Sequence, residues 1–241
     1  MNFGLLAALA AIAFLYASVG HGGASGYLAL LALMGHAQGE IRPSALVLNL
    51  FVSAVATLQF AGAGHFRWRL FWPFAATSIP LAWLGANITL DPLMYKRALA
   101  LCLLVAVARL LGFGGMKQAD TRPLPITVAL GIGAVLGLVS GMIGIGGGIL
   151  LSPLLLVFGW ANAKETAAVS APFILVNSAA GLIGALGQGE VVNDEMLQWV
   201  VVAVIGGALG SYIGARLLND LWLRRTLGIV LLFASIKLML P

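Results

Sequence analysis

Two glycine-rich decapeptides carry the residues of this chain that could do chemistry. Residues 18–27 read SVGHGGASGY and residues 141–150 read GMIGIGGGIL. Each stands where the flanking apolar sequence would otherwise continue a helix. The helix that follows such a break begins with unpaired N–H groups and the positive end of its dipole, which together attract anions. Glycines let an anion reach those amides with no Cβ in the way. Uncharged donors lie close by: His21 and Ser25 in the first break, Asn49 and Ser53 one turn apart in the next long segment, and Ser170, Asn177 and Ser178 in the matching region of the second half. Side chains of this kind orient an anion without trapping it, and an Asn in the middle of a membrane helix calls for a partner or a function. The plainer alternative is a pair of tight turns between packed helices, with each polar side chain bonded to a neighbour.

His21 has no counterpart in the second decapeptide, where Ile145 stands in its place. That asymmetry suits direct ligand contact or proton coupling near neutral pH, or a structural histidine. No acid falls in the middle of an apolar segment: Glu40, Asp91, Glu165, Glu190, Asp194, Glu195 and Asp220 all lie near segment ends. A carboxylate proton relay or sodium cage is therefore missing, which weakens a cation-transport reading. Cys102 is the single cysteine and lies in the apolar run ALALCLLVAVA, so no intrachain disulfide or thiolate cluster can form. With three separated histidines and no HxxxH, neither a metal nor another cofactor is expected. No GxSxG, HExxH or paired intramembrane carboxylates point to an enzyme.

The elements that must position these residues are membrane helices. Only 9% of the 241 residues are charged and 61% are hydrophobic, with a mean hydropathy of +1.04, outside the range of water-soluble domains. The lipid bilayer is the first partner, and the net charge of +5 reflects Lys and Arg between apolar runs, not a nucleic-acid surface. The opening residues lack a basic n-region and read as a retained helix. Glycine, proline and charge punctuate ten apolar segments: 2–19, 24–35, 43–63, 70–88, 95–113, 125–143, 148–160, 165–186, 196–215 and 220–240. A bilayer core of about 30 Å needs about 20 helical residues. Segments 24–35 and 148–160 are too short, and each follows a glycine break, so each reads as part of a broken or re-entrant helix.

The two halves resemble each other. Gly20, Gly22 and Gly23 fall on Gly144, Gly146 and Gly147, VLN at 47–49 lies near LVN at 175–177, and WLGANITLDPLMYKR at 83–97 matches YIGARLLNDLWLRR at 212–225. The expected organisation is an N-terminal transmembrane repeat over 1–113, a linker at 114–124 and a C-terminal repeat over 125–241, forming one all-α polytopic domain. Five segments per repeat give the copies opposite orientations, an arrangement of many secondary transporters. Counting ten crossings, Arg67, Arg69, Arg109, Lys117, Arg122, Lys164, Arg216, Arg224 and Arg225 share one side, while Arg42, Lys96, Arg97 and Lys237 share the other. This distribution puts the linker in the cytoplasm and both termini outside a multi-pass inner-membrane protein. Glycines at 133, 137 and 141, and at 206, 210 and 214, line helix faces suited to close packing, in a monomer or a homodimer alike. Trp68, Trp72, Trp160, Trp199 and Trp222 fall near segment ends, as interfacial anchors do.

The second break with its continuation, GMIGIGGGILLSPLLLVFG at 141–159, resembles the signature of the TauE/SafE sulfite exporter family, and the duplicated organisation extends the resemblance over nearly the whole chain. The resemblance implies a polytopic transporter of sulfite or organosulfonates. It also implies substrate-binding roles for Gly144, Gly146, Gly147 and Gly148 and, by repeat symmetry, for Gly20, Gly22 and Gly23. The first copy departs from the pattern, with His21 and Ala24 at glycine-loop positions and no following proline. The expectation is a secondary transporter of a small sulfur-containing anion. It binds its substrate between the breaks, alternates access by rocking one repeat against the other, and couples to a proton through His21. Uniport driven by membrane potential, a passive anion channel, and transport of another small anion stay open beside it.

Overall fold

Runs of Leu, Ala, Val and Ile with little charge can satisfy their backbone in lipid only as helices. The computed structural model describes residues 3–88, 121–219, 221–223, 225–226, 228–229 and 232. Among these residues the chain is helical and has no strand. The helices are α1 (Phe3–Ala17), α2 (Ala24–Leu33), α3 (Gln38–Gly62), α4 (Trp68–Ala86), α5 (Ile126–Ile143), α6 (Gly148–Val157), α7 (Ala163–Gly187) and α8 (Met196–Tyr212). A π-helical turn, Ile213–Leu217, continues α8. By length and composition, Gly39–Gly62, Ile126–Ile143, Ala163–Gly187 and Met196–Leu217 can each cross a membrane. The chain is thus a polytopic membrane protein. The expected segment 95–113, most of 220–240, linker residues 114–120, Asp91 and Cys102 lie outside the described residues.

The two expected short helices are present. α2 and α6 each have 10 residues, and each starts from a glycine in the left-handed region, Gly23 at φ 98° and Gly147 at φ 72°. A side chain at either position would be strained, so the glycines set where the helices begin. α3 starts earlier than expected, before Arg42 and Pro43. Pro43 cannot donate to the carbonyl four residues back, and the Gly39 carbonyl accepts the Val191 amide instead. The capping box at Asn162 and Glu165 likewise brings α7 forward to Ala163.

α3 and α7, each 25 residues long, pack together at the centre. α3 also meets α2 and α8, while α7 meets α6 and α4. The outer pairs are α1 with α8 and α4 with α5. Both pairs close along glycines. A Cβ on Gly206, Gly210 or Gly214 would run into the backbone of Ala10, Phe14 or Ser18, and one on Gly133, Gly137 or Gly141 into that of Phe74, Ser78 or Ala82. Backbones this close exclude even an alanine. The opposite face of α8 presents Leu197, Val201, Ile205 and Leu209 outward at four-residue spacing, the stripe that meets lipid.

Trp68 and Trp222 are exposed, as interfacial anchors would be, but Trp199 and Trp160 are buried within the protein. Trp199 packs edge-on against His36, with ring centroids 5.2 Å apart, and Trp160 stacks on Phe158. The end-of-segment rule places a tryptophan along the membrane normal, not around the helix axis. On α8 the inward face took this one.

Ion pairs tie α3 and α7 together at both ends. Arg42 near the start of α3 meets Glu190 just past the end of α7 at 2.7 Å, and Asn193 bonds Glu40 and Ser44 beside it. Arg67, just past the end of α3, meets Glu165 in the first turn of α7 at 3.2 Å. The 25-residue α3 is about 37 Å long, so the two pairs lie toward its opposite ends.

Candidate functional site

The two glycine breaks meet. His21 of the first lies with its Nε2 3.1 Å from the carbonyl oxygen of Gly148, the first residue of α6 beyond the second. Both short helices therefore begin at one place, and their N-termini share one site. Tyr16, His21, Gly22, Gly23, Ala24, Ser25, Asn49, Ile145, Ile149 and Ile174 line a small cavity there. The space open to the centre of a water molecule is about 10 Å³, enough for about one water.

Asn49 holds the breaks in place. Its Oδ1 accepts the amide of Ala24, the first residue of α2, at 3.1 Å, and its Nδ2 donates to Ser178 Oγ at 2.7 Å. One carboxamide from the middle of α3 thus caps α2 where its Gly23 N-cap has no side chain to do so, and fastens α3 to α7. Gly146 sits directly over this contact: a Cβ there would lie 2.5 Å from Asn49 Nδ2 and 2.8 Å from Ser178 Oγ. A Cβ on Gly22 would strike the Asn49 carboxamide from the other side. The glycines are therefore small because Asn49 occupies the space between them.

A second network runs from His21. Ser152 Oγ lies 3.0 Å from His21 Nε2 and 2.7 Å from Ser170 Oγ, so a chain of polar atoms links the first break through α6 to α7. Tyr16 and Ser25 hydroxyls are 2.9 Å apart. His21 Nδ1, Asn177 Oδ1 and Ser140 Oγ are buried without a hydrogen-bond partner among the described residues. An unpaired buried polar atom costs about 1–3 kcal/mol, and such atoms mark places where a ligand can supply the missing bond.

The expected site residues divide accordingly. Gly20, His21, Gly22, Gly23, Ser25, Asn49, Gly146, Gly147, Gly148, Ser170 and Ser178 belong to the two breaks and their networks. Gly20 is closed against the Ala167 backbone and Gly144 against the Arg42 side chain, so these two shape the breaks from outside. Ser53 bonds the Leu50 carbonyl of its own helix at 3.2 Å. Asn177 donates to the Phe173 carbonyl at 2.8 Å, so it does not cap α6 as Asn49 caps α2. Ser152 and Tyr16 escaped the sequence reading. Each sat inside an apolar run, and the only hint was Ser152 standing one turn beyond the second break. Among the described residues no group of three or more His, Cys, Asp or Glu could hold a metal ion.

Asn49→Leu tests the capping role. It leaves the Ala24 amide and the Ser178 hydroxyl unpaired at a cost of about 1–3 kcal/mol, and Asn177→Leu removes only a bond within its own helix. Thermal unfolding in detergent should fall by several degrees for Asn49→Leu and by clearly less for Asn177→Leu.

The sequence matches the family described as Sulfite exporter TauE/SafE over residues 5–238. It is 40% identical over 240 residues to the "Probable membrane transporter protein y4hK" of Sinorhizobium fredii (strain NBRC 101917 / NGR234), covering 98% of this chain and 97% of that one. A "Probable membrane transporter protein" of Xylella fastidiosa (strain Temecula1 / ATCC 700964) is 28% identical over 218 residues, covering 86% and 82%. No solved structure matches. Helices able to cross a membrane, glycine breaks joined at one buried site and a family match over nearly the full length agree, and the chain belongs to the TauE/SafE sulfite exporter family of membrane transporters.

Proposed function

We propose that this protein is a secondary transporter that carries a small sulfur-containing anion, sulfite or an organosulfonate, out across the inner membrane by alternating access. The observation that carries this is the meeting of the two breaks, with His21 Nε2 3.1 Å from the Gly148 carbonyl. Two helix N-termini converging on one spot double the electrostatic attraction that either offers an anion. Uncharged walls keep that attraction short of a trap. A cavity with room for about one water admits no sulfite or sulfonate in this conformation, so the helices must part to load it. That, with an ion pair at each end of α3 and α7, favours alternating access over a passive channel.

Packing supports the inverted repeat. Exchanging α1–α4 with α5–α8 in order turns the pair α1 with α8 into α5 with α4, α3 with α8 into α7 with α4, and α2 with α3 into α6 with α7, all of which are in contact. Arg42 and Glu190 share one end of the α3 and α7 pair, while Arg67 and Glu165 share the other, in keeping with the expected topology of a cytoplasmic Arg67 end and external termini. A proton is the coupling ion we assign, with His21 as its carrier.

The test is flux of labelled sulfite and of a small sulfonate in proteoliposomes, with and without a pH gradient. Saturable flux of one anion, accelerated by the gradient, is expected. Folded protein that moves neither anion would overturn the assignment.

A further inference from the structure

His21 has two ring nitrogens in different situations. Nε2 lies 3.1 Å from the Gly148 carbonyl oxygen and 3.0 Å from Ser152 Oγ. A carbonyl can only accept, so the contact is a hydrogen bond only if Nε2 carries the proton. The hydroxyl of Ser152 fits the same tautomer: it takes a share of the Nε2–H as acceptor and has its own partner in Ser170 Oγ at 2.7 Å. Were Ser152 to donate to a bare Nε2 instead, two lone pairs would face each other across the Gly148 contact.

With Nε2 protonated, Nδ1 in the neutral ring is a bare lone pair, and it is the ring atom left buried without a partner among the described residues. His21 lines the site, and a lone pair buried beside a bound anion is repulsive. It becomes a donor only by taking up a proton.

On the reading of this site as an anion site, we infer that proton and anion are loaded together: Nδ1 takes one proton from water as the anion enters and donates it in a hydrogen bond to an anion oxygen. On the far side the anion leaves, and Nδ1 returns the proton to water. The imidazolium charge of +1 cancels the −1 of a monoanion, so the loaded site is neutral and transport of a monoanion moves no net charge. Ser152 is the positioning residue, because it and the Gly148 carbonyl select which nitrogen is free.

The surroundings leave this task to His21. No charged side chain lines the cavity among the described residues. α1 brings the phenol of Tyr16, already bonded to Ser25, and α2 places Tyr27 against Gly23. α3 brings Asn49, α6 brings Gly148 and Ser152, and α7 brings Ser170 and Ile174.

The experiment combines ¹⁵N-histidine NMR of the purified protein in detergent with proton uptake measured in weakly buffered solution. The probe is a small alkanesulfonate, a monoanion throughout the range used. His21→Gln identifies the His21 signals among those of three histidines. Without anion, His21 should show the Nε2–H tautomer. Adding sulfonate should convert it to the doubly protonated ring, with one proton taken up per sulfonate bound and none in His21→Gln. Ser152→Ala should mix the two neutral tautomers, and Ser152→Thr should restore the single form, whereas a serine that only filled space would leave the spectrum unchanged. An Nδ1–H tautomer, a ring already charged without anion, or sulfonate binding without proton uptake would each overturn the inference. An intact Nε2–H signal in a protein that binds neither sulfonate nor sulfite would instead sink the substrate assignment, so the two failures are distinguishable.

Discussion

Gly146→Leu should abolish anion flux while the protein still folds. Gly146 has φ 73°, a conformation that strains any side chain, at a cost of about 1–2 kcal/mol. Strain is the smaller part of the effect. The added Cβ would lie 2.5 Å from Asn49 Nδ2 and 2.9 Å from Ile174 Cγ2, so the carboxamide must swing away, releasing both the Ala24 amide and Ser178. The rest of the leucine then fills the space where the two helix N-termini converge. Gly35→Leu separates the causes: Gly35 has φ 77°, but nothing lies within 4 Å of its Cβ position. It should show comparable backbone strain and near-normal flux. Equal losses for the two variants would mean that the second break is only a turn.

Gly141→Leu should have the largest effect on stability. Its Cβ would enter the carbonyl of Ala82, backbone of a neighbouring helix that no rotamer change can move. Overpacking costs about 1–3 kcal/mol where side chains can adjust. Here the α4 and α5 axes must separate, opening the contacts at Gly133 and Gly137 as well. Gly131→Leu lies on the same helix with open space around it and should match or exceed the wild type, since glycine is a poor helix former. Monodisperse yield and thermal unfolding of the two variants in detergent give the comparison. Tolerance of Gly141→Leu would show that the α4 and α5 seam is looser than its geometry.

Much of this architecture was legible from residue type alone, because in lipid the backbone leaves few choices. Glycine clusters ended α1 and α5, and the short apolar runs after them became α2 and α6. The glycines at every fourth position are packing faces, as expected. Asn49 was recognisable as a residue that needs a partner, but the partner, Ser178, is 129 positions away. Ser152 offered only its place one turn beyond the second break. A serine in an apolar run hydrogen-bonds its own helix or nothing in most settings, and its place 3.0 Å from His21 comes from bringing together residues 131 apart. The early start of α3 was hidden because Glu40, Arg42 and Pro43 look like a terminus, and the partners of Glu40 and Arg42 come from distant chain, Glu190 and Asn193 beyond α7 and the Ala86 carbonyl at the end of α4. The buried face of Trp199 was hidden for a similar reason, since sequence position gives depth and not rotation about the helix.

The glycine seams bear on which parts of the protein can turn as units. Each seam joins a helix of the first half to one of the second: α1 to α8 and α4 to α5. Swinging one sequence half against the other would tear both seams, where backbone packs directly on backbone. Hinging the α1 and α8 leaf and the α4 and α5 leaf about the central α3 and α7 post would break neither. Such a motion would resemble a pair of doors on a shared frame, each door made from both halves of the chain, with the ion pairs at the two ends of the frame where latches would sit.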